Sequence, residues 1–455
     1  MDVKAASAPR TRPRTLAGLL GLVAILLVIL ACGGPAPVEM IPVATLEPNV
    51  PAFRVISLVV DRLQARNGRD GSLQWDTRVP PTGPAILTSD PTAHVIYISV
   101  TSSPMVIAVN ADDGRILWQF SECTGPDDHI LLGSGRLYLT CGQAAAVGLD
   151  DPALATLYAL DARTGAVLWK DAERHARALV GANVIAQTPG GLAALDGATG
   201  AILWQHTVDI IAETPSTASY LNPIDAFQFV VRIGPTGALY YSPDGVHAEA
   251  LRASDGTLLW RSDAVQDISS APTSEFTQYA SVALATTDEV VTQGVFGVTV
   301  LRASDGTILW RHYQYPDGGG ITTLLGDDGA LYVAKYYGPS SATRVPEYPL
   351  AAFNPNDGSV RWDVNGPAAS HPLLVLDGDT LVAGEPGEVS AFRTSDGARL
   401  WRQTAIYVDS IAADSHVLCV QAGALLYVLK LADGLKVWKQ TLPSSGRTTP
   451  LLLAA

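Results

Sequence analysis

Short apolar runs separated by tight polar turns recur along most of this chain. In residues 159–169 (ALDARTGAVLW), one apolar run leads to Asp161, a turn follows at Thr164 and Gly165, and a second apolar run ends at Trp169. Runs of this length bounded by turn residues are typical of β-strands. Glycine supplies the positive φ that a tight turn needs. The pattern therefore predicts a β-hairpin with a tryptophan at a fixed place on its second strand.

The pattern occurs nine times and accounts for every tryptophan of the protein. In each copy a glycine stands four residues before the tryptophan and is itself preceded by Asp or Thr. The tryptophans are Trp75, Trp118, Trp169, Trp204, Trp260, Trp310, Trp362, Trp401 and Trp438. Repeats of roughly 35 to 56 residues with several strands each are typical of β-propeller blades. We expect each indole to lie between adjacent blades and hold them together.

These repeats predict an all-β protein, a single closed β-propeller of four-stranded antiparallel blades. The stretch from His371 to Trp401 has four apolar runs with short connections, as one blade requires. We expect eight blades, because an N-terminal hairpin can pad an existing blade, but a strict count allows nine. Residues 449–453 read as a lone strand, which we expect to pair with the N-terminal hairpin. Such closure of the ring removes exposed sheet edges.

Extra residues are expected on one face of the ring only. The turns between the first and second and between the third and fourth strands of each blade stay short. Insertions follow a fourth strand at 206–225 and 312–320, or a second strand at 141–155 and 336–349. In an up-and-down sheet these two kinds of connection share a face. Repeat proteins usually place function on such a face.

The N-terminal region differs from the repeat. Basic residues precede an uncharged run from Leu16 to Leu30, and Ile29-Leu30-Ala31-Cys32 resembles the lipobox of bacterial lipoproteins. The run is short for a membrane-spanning helix and suits a signal peptide. We predict a lipoprotein signal peptide at residues 1–31 and a lipid on Cys32. An uncleaved N-terminal transmembrane anchor is the alternative.

The rest of the chain divides into two predicted parts. Residues 32–52 are rich in proline and predict a linker, and residues 53–455 form the propeller. With either N-terminal anchor, the propeller is extracytoplasmic and attached to a bacterial membrane. This compartment permits disulfides.

Cys123 and Cys141 flank two consecutive strands, so they fall at the same edge of one blade. This placement favours a disulfide between them. Cys419 lies within an apolar run, where we expect a buried thiol.

Charge narrows the range of partners. The formal net charge is −14, and 16% of the residues are charged against 47% hydrophobic. Nucleic-acid binding requires a basic surface, so the acidic balance argues against it. The histidines show no metal-ligand spacing, and no nucleophile elbow or phosphate-binding loop is present. We therefore predict no catalytic residue and no metal site.

The repeat resembles the PQQ-like repeat family, the propellers of the quinoprotein alcohol dehydrogenase type. The family motif, Ala-x-Asp-x-x-Thr-Gly-x-x-x-Trp, is matched in full by residues 159–169 and 194–204. In other copies the Asp is replaced, as by Asn110, Arg252 or Lys430. The resemblance implies an eight-bladed fold over residues 53–455. It also implies that the tryptophans dock neighbouring blades.

Two kinds of member of this family bear on function. Quinoprotein dehydrogenases use PQQ with Ca²⁺ and commonly have a disulfide between adjacent cysteines, which this chain lacks. All nine tryptophans belong to the repeat, so none remains to stack on a quinone, and we predict no cofactor. In architecture the chain also resembles the lipoprotein subunit of the bacterial outer-membrane barrel-assembly machinery, which has no enzymatic activity.

We therefore expect a non-enzymatic, lipid-anchored binding or scaffold protein that is a monomer and binds a protein or peptide through the decorated face. The candidate partner surface is a group of loop tyrosines: Tyr313, Tyr315, Tyr336, Tyr337 and Tyr348. Tyrosine in loops makes good contact area at low entropic cost. The alternatives are packing of these tyrosines on their own blade, a PQQ-dependent dehydrogenase, and an extracellular sensor of a small ligand.

Overall fold

The structure of the protein is a computed structural model. It describes residues 44–59, 61–80, 85–100, 105–123, 126–142, 155–208, 230–265, 280–294, 297–313, 320–336, 350–364, 373–414, 416–442 and 451–454. The predicted signal peptide, Cys32 and the linker as far as residue 43 lie outside these residues. Among the residues described, no helix has the length and apolarity needed to span a bilayer.

The described residues form 35 β-strands in nine antiparallel sheets, which we number as blades 1 to 9. Blade 1 contains β1 (Phe53–Val59), β2 (Arg62–Asn67), β3 (Leu73–Arg78) and β35 (Leu451–Ala454). Blade 2 contains β4 (Ala85–Asp90), β5 (Val95–Val100), β6 (Met105–Asn110) and β7 (Ile116–Phe120). Blade 3 contains β8 (Pro126–Gly133), β9 (Arg136–Gly142), β10 (Ala155–Asp161) and β11 (Val167–Ala172).

The next three blades repeat this order. Blade 4 contains β12 (His175–Val180), β13 (Asn183–Thr188), β14 (Gly191–Asp196) and β15 (Ile202–Thr207). Blade 5 contains β16 (Arg232–Ile233), β17 (Ala238–Tyr241), β18 (Glu249–Arg252) and β19 (Leu258–Arg261). Blade 6 contains β20 (Ser281–Ala285), β21 (Glu289–Gly294), β22 (Gly297–Arg302) and β23 (Ile308–Tyr313).

The last three blades complete the set. Blade 7 contains β24 (Gly320–Leu325), β25 (Leu331–Tyr336), β26 (Leu350–Phe353) and β27 (Val360–Val364). Blade 8 contains β28 (Leu373–Asp377), β29 (Thr380–Arg393) and β30 (Arg399–Tyr407). Blade 9 contains β31 (Ser410–Asp414), β32 (Val417–Ala422), β33 (Leu425–Lys430) and β34 (Lys436–Thr441).

In blades 2 to 9 the strands pair in the order in which the chain reaches them, and we call them A to D from the first to the last. In blade 8 the long strand β29 serves as both B and C, because its first half pairs with β28 and its second half with β30. The predicted all-β propeller of four-stranded antiparallel blades is confirmed. The blade count is nine, the alternative that the sequence allowed, and not the preferred eight.

Ring closure follows from the pairing of β35 with β1. The register places Phe53 opposite Ala454 and Ile56 opposite Leu451. Strand β35 therefore supplies strand A of blade 1, while β1, β2 and β3 supply strands B, C and D. The N-terminal hairpin thus belongs to a complete ninth blade and does not pad another one.

The nine tryptophans connect each blade to the next. Each indole Nε1–H donates to a backbone carbonyl in the C–D turn of the following blade, at 2.5 to 3.0 Å. The bond from Trp438 to the carbonyl of Gly68 joins blade 9 to blade 1 and completes the circle. These bonds form because the indole lies on the outermost strand, facing the turn of its neighbour.

The repeat glycine makes room for the indole of the preceding blade. All nine of these glycines have φ between +69° and +75°, a region that side chains disfavour. A Cβ atom built on any of them would lie 2.5 to 2.9 Å from a tryptophan ring atom. Glycine is therefore required twice over, by the turn and by the indole packed against it.

Residues 44–52, predicted to be linker, contact the propeller where blades 9 and 1 meet. Leu46 and Val50 pack in the apolar cluster that contains Phe53, Val437 and Trp438. The backbone N–H of Ala44 donates to the carbonyl of Lys436 at 2.9 Å. This part of the predicted linker thus forms a fixed extension of the ring.

Candidate functional site

The connections between strands divide the ring into two different edges. C–D turns contain five or six residues and A–B turns two to five. B–C and D–A connections reach thirteen residues between β25 and β26 and twenty-four between β15 and β16. In antiparallel sheets the B–C and D–A connections lie at one edge, which we call the loop edge, and the others at the turn edge. The extra chain length is thus concentrated on a single face, as the sequence predicted.

Two of the five predicted partner tyrosines fall on described backbone. Tyr313 is the last residue of β23 and Tyr336 the last residue of β25, so both reach the loop edge, in neighbouring blades. Tyr315, Tyr337 and Tyr348 lie outside the described residues. The tyrosine surface therefore stays a prediction.

A buried ionic cluster occupies the loop edge of blade 5. It is built on the B–C connection of that blade, residues 242–248, and on the strand ends beside it. Glu249 begins β18 and Arg261 ends β19, and the two residues are directly opposite in the strand register. This cross-strand position brings the carboxylate and the guanidinium together.

The guanidinium of Arg261 joins two carboxylates. Its Nη1 donates to Glu249 Oε1 and its Nη2 to Asp244 Oδ2, each at 2.7 Å. Tyr241 donates its hydroxyl hydrogen to Glu249 Oε2. Asp244 and Glu249 are buried, whereas 42% of the Arg261 side chain is exposed. Charged hydrogen bonds of this kind are stronger than neutral ones and compensate the cost of burying the carboxylates.

Asp244 also fixes the path of the loop. Its Oδ1 accepts from the backbone N–H groups of Val246 and His247 at 2.9 and 2.7 Å, and its Oδ2 lies 2.6 Å from His247 Nδ1. Burial acts to raise the pKa of Asp244, but the hydrogen bonds from His247 and Val246 outweigh it, so the pKa lies below its usual value. Asp244 is therefore ionised at neutral pH and holds the loop rigidly.

Tyr241 is held in its neutral form. Burial, together with its hydrogen bond to Glu249, raises the pKa of the Tyr241 hydroxyl far above its ordinary value. Its proton is thus committed to the carboxylate. Arg261, Tyr241 and the loop backbone occupy the acceptor oxygens of the two carboxylates. The cluster is therefore suited to holding a surface in one conformation and not to proton transfer.

His206 extends the cluster to the neighbouring blade. It lies on β15 of blade 4, and its Nε2 is 4.0 Å from Glu249 Oε2. The two connections that leave β15 and β19 therefore start next to each other at this edge. The ionic cluster of blade 5 thus reaches the outer strand of blade 4.

The ionic cluster was not among the predicted sites. Ser242-Pro243-Asp244-Gly245 is a typical turn sequence, and the structure shows Asp244 and Ser242 accepting backbone hydrogen bonds within it. The opposite charges of Glu249 and Arg261 lie at equal distances from the repeat turn. This cross-strand relation, read against the repeat, could have indicated the pair.

The remaining candidate chemistry is structural. Cys123 and Cys141 form a disulfide that links the start of blade 3 to the end of β9. Cys419 is a buried thiol on β32, and burial raises its pKa well above the usual range. Within the described part of the chain, no group of three or more His, Cys, Asp or Glu residues is placed to hold a metal ion.

Known protein families and structures that resemble this chain are also β-propellers. The family model described as outer membrane protein assembly factor BamB matches residues 59–222 and 245–414. The computationally designed Ika8 protein shares 12% sequence identity at a TM-score of 0.51, covering 78% of this chain and 96% of the designed one. This likeness shows the propeller fold alone. No curated protein sequence matches the chain significantly.

Two natural propellers are more distant in structure. BamB from Moraxella catarrhalis shares 15% identity at a TM-score of 0.45, covering 82% of this chain and 96% of its own. The quinohemoprotein alcohol dehydrogenase ADHIIG from Pseudomonas putida HK5 also shares 15% identity at a TM-score of 0.45, covering 82% of this chain and 72% of its own.

Proposed function

Because the chain belongs to the family described as outer membrane protein assembly factor BamB, we propose that it is a non-enzymatic scaffold protein that binds a protein or peptide partner at its loop edge. The observation that carries the proposal is the one-sided distribution of chain length. B–C and D–A connections of up to thirteen and twenty-four residues stand at the loop edge, against at most six at the turn edge. Long connections on one face of a rigid ring are typical of recognition surfaces.

The ionic cluster of blade 5 supports this function. Arg261 holds the two buried carboxylates, and Asp244 fixes the backbone of residues 246–247. A surface fixed in this way loses little conformational freedom when a partner binds. The exposed part of Arg261 can donate hydrogen bonds to a carboxylate or carbonyl of a partner, because guanidinium has five N–H donors.

The use of the tryptophans favours a scaffold over a quinoprotein. Each of the nine indoles donates its N–H to the next blade and lies against a repeat glycine. Every tryptophan of the protein is thereby engaged in the docking of blades. A quinone cofactor would need an aromatic platform from another residue type.

The same proposal places the protein outside the cytoplasm, with a lipid on Cys32 that attaches it to a bacterial membrane. The lipobox-like sequence at residues 29–32 supports this location. The family description refers to outer-membrane proteins, so we propose the outer membrane as the site of attachment. Radiolabelled palmitate incorporation, lost in a Cys32→Ala variant, tests the anchor.

Loop shortening tests the proposed binding edge. The B–C connection of blade 7, residues 337–349, is replaced by the two-residue turn that joins the same strands in blade 9, Gly423-Ala424. The matched control shortens the A–B turn of the same blade, residues 326–330, to two residues. Partners are cross-linked and captured from intact cells, identified, purified and titrated against each variant. We expect loss of binding only with the B–C variant.

Two outcomes would overturn the scaffold function at this edge. One is equal binding of the identified partner by the B–C variant and the wild type, with both rings folded. The other is alcohol-dependent dye reduction after reconstitution with PQQ and Ca²⁺, which would assign the protein to the dehydrogenases. Retained binding of the A–B control shows that the effect belongs to the loop edge.

A further inference from the structure

Exposed apolar side chains are concentrated on the outermost strands of the ring. Among the described residues, twelve of the thirteen large hydrophobic side chains that are exposed lie between a repeat glycine and its tryptophan. They are Leu73, Ile116, Leu117, Val167, Leu168, Ile202, Leu203, Leu258, Leu259, Val360, Leu400 and Leu435. They form an apolar rim close to the turn edge, away from the loop edge discussed above. Blades with two adjacent exposed apolar side chains, such as Ile116 and Leu117, are candidates for a binding site.

In blade 9, residues 44–50 cover part of this rim. Val437, the residue before Trp438, is only 1% exposed, whereas its equivalent Leu117 in blade 2 is 43% exposed. The difference is due to residues 44–50, because Leu46 and Val50 pack in the same cluster as Val437. A short segment with two apolar side chains is therefore able to cover one outer strand.

Arginine holds that segment by its backbone. The guanidinium of Arg69, in the C–D turn of blade 1, donates to the carbonyls of Glu47 and Pro48 at 3.3 Å each and to that of Val50. Lys430 adds an ion pair with Glu47 at 3.3 Å. Because backbone carbonyls are common to all peptides, the arginine recognises the turn of the segment and not its side chains.

The junction of blades 2 and 3 repeats the arginine of this arrangement, with Asn110 at the position that Lys430 occupies in blade 9. Trp118 donates to the carbonyl of Ala162 as Trp438 does to that of Gly68, so Arg163 occupies the position of Arg69. The corresponding residues of the other C–D turns are Asp112, Ala198, Ser254, Ser304, Asn356, Ser395 and Ala432. Arg163 is thus the one residue that repeats the arginine. The turn that contains it accepts the Trp118 N–H, and Ile116 and Leu117 on the same strand as Trp118 are exposed.

Space is also available there. The strand register pairs Arg54 with Asn67 in blade 1 and Arg136 with Asp161 in blade 3, so Gly135 takes the place of Phe53. A Cβ atom built on Gly135 meets no other atom within 4 Å. The ring of Phe53 fills the same position in blade 1, against Gly68. Blade 3 therefore has no counterpart of the Phe53 ring, and a bound segment can approach the turn that contains Ala162 and Arg163.

We propose that the outer rim at the junction of blades 2 and 3, formed by Ile116, Leu117 and Arg163, binds a short proline-containing segment of another polypeptide in the way that blade 9 binds residues 44–50. The segment places an apolar side chain on Leu117 and turns its backbone carbonyls towards Arg163. This surface is separate from the loop edge of the proposed function, and it does not depend on that function.

A synthetic peptide of residues 43–52, with a photoreactive leucine at the position of Leu46, is the probe. It is titrated against the full chain by fluorescence anisotropy, and its cross-links are mapped by mass spectrometry. We expect cross-links to β7 or the Arg163 turn. Arg163→Ala removes the charged hydrogen bonds and Leu117→Glu the apolar contact, so each is expected to weaken binding about tenfold.

Leu203→Glu is the matched control. Leu203 is 51% exposed at the equivalent position of blade 4, but the next turn has Ser254 in place of the arginine. Unchanged affinity in this variant is expected. The proposal is overturned if the peptide does not bind, if Leu203→Glu weakens binding as much as Leu117→Glu, or if cross-links map to β34 alone. Concentration-dependent dimers that Leu117→Glu abolishes would instead assign the rim to a second copy of the chain.

Discussion

Replacement of one repeat glycine by alanine tests how the blades are held together. Gly165 has φ +72°, and a Cβ atom on it would lie 2.6 Å from the indole of Trp118. Gly135, in the A–B turn of the same blade, has φ +71° but would meet nothing within 4 Å. The two glycines therefore share a backbone conformation and differ in the presence of the indole.

The expected magnitudes follow from these two contributions. Alanine in the left-handed region costs about 1–2 kcal/mol at either position. At Gly165 the methyl group must also displace a packed indole, and overpacking of this kind costs a further ~1–3 kcal/mol. We expect Gly135→Ala to lower the free energy of unfolding by about 1–2 kcal/mol and Gly165→Ala by about 2–5 kcal/mol.

Urea unfolding followed by tryptophan fluorescence and by circular dichroism measures both variants. A double-mutant cycle with Trp118→Ala isolates the contact, because Gly165→Ala should cost only the left-handed penalty once the indole is absent. Trp118→Ala alone is expected to cost about 3–5 kcal/mol. Equal destabilisation by the two glycine variants, or a cycle without coupling, would refute the assignment of the indoles as the contacts that hold the blades together.

The remaining predictions concern single features of the ring. Serine at both Cys123 and Cys141 should cost about 3 kcal/mol, and dithiothreitol should lower the unfolding midpoint of the wild type but not of this variant. Deletion of residues 451–455 should leave one edge of β1 without a partner strand and produce oligomers in size-exclusion chromatography, whereas a monomeric, fully cooperative product would contradict ring closure. Because the pKa of Asp244 is lowered in the folded state, its stabilisation is present at neutral pH and is lost as pH falls through that lowered pKa. Asp244→Asn should lower the free energy of unfolding by about 3 kcal/mol at pH 7. This difference from the wild type should become smaller below about pH 4, which unfolding measured at a series of pH values tests. Cys419 should resist iodoacetamide until urea unfolds the protein, and rapid labelling of the native state would show that its strand is accessible.

The fold was predictable because the information that specifies it is local and repeated. A short sequence motif is enough to predict a turn of five or six residues with glycine at positive φ. The positions of the tryptophans then give the length of each repeat. The preferred count of eight blades was one fewer than the nine in the structure. Whether the first hairpin pads a blade or receives β35 depends on a pairing between residues about 400 positions apart, which no local pattern encodes.

The candidate site was less predictable for a related reason. The one-sided distribution of connections follows from strand order and was visible in the sequence. The ionic cluster was not, because Asp244 meets Arg261 only after β18 and β19 pair and the loop folds back over them. The apolar rim could have been read from the Leu-Leu-Trp and Ile-Leu-Trp sequences. Exposure of those residues depends, however, on their being on the outermost strand.

The pairing of β1 with β35 sets the timing of folding in the cell. Blades 2 to 9 are each built from consecutive strands, so every one of them can form as soon as its own residues have been synthesised. Blade 1 has to wait for residues 451–454, which the ribosome makes after all the others that the structure describes. Until then its first strand offers an open hydrogen-bonding edge to any neighbouring chain. Completion of the ring consequently requires the synthesis of all the blades that lie between these two strands in the sequence.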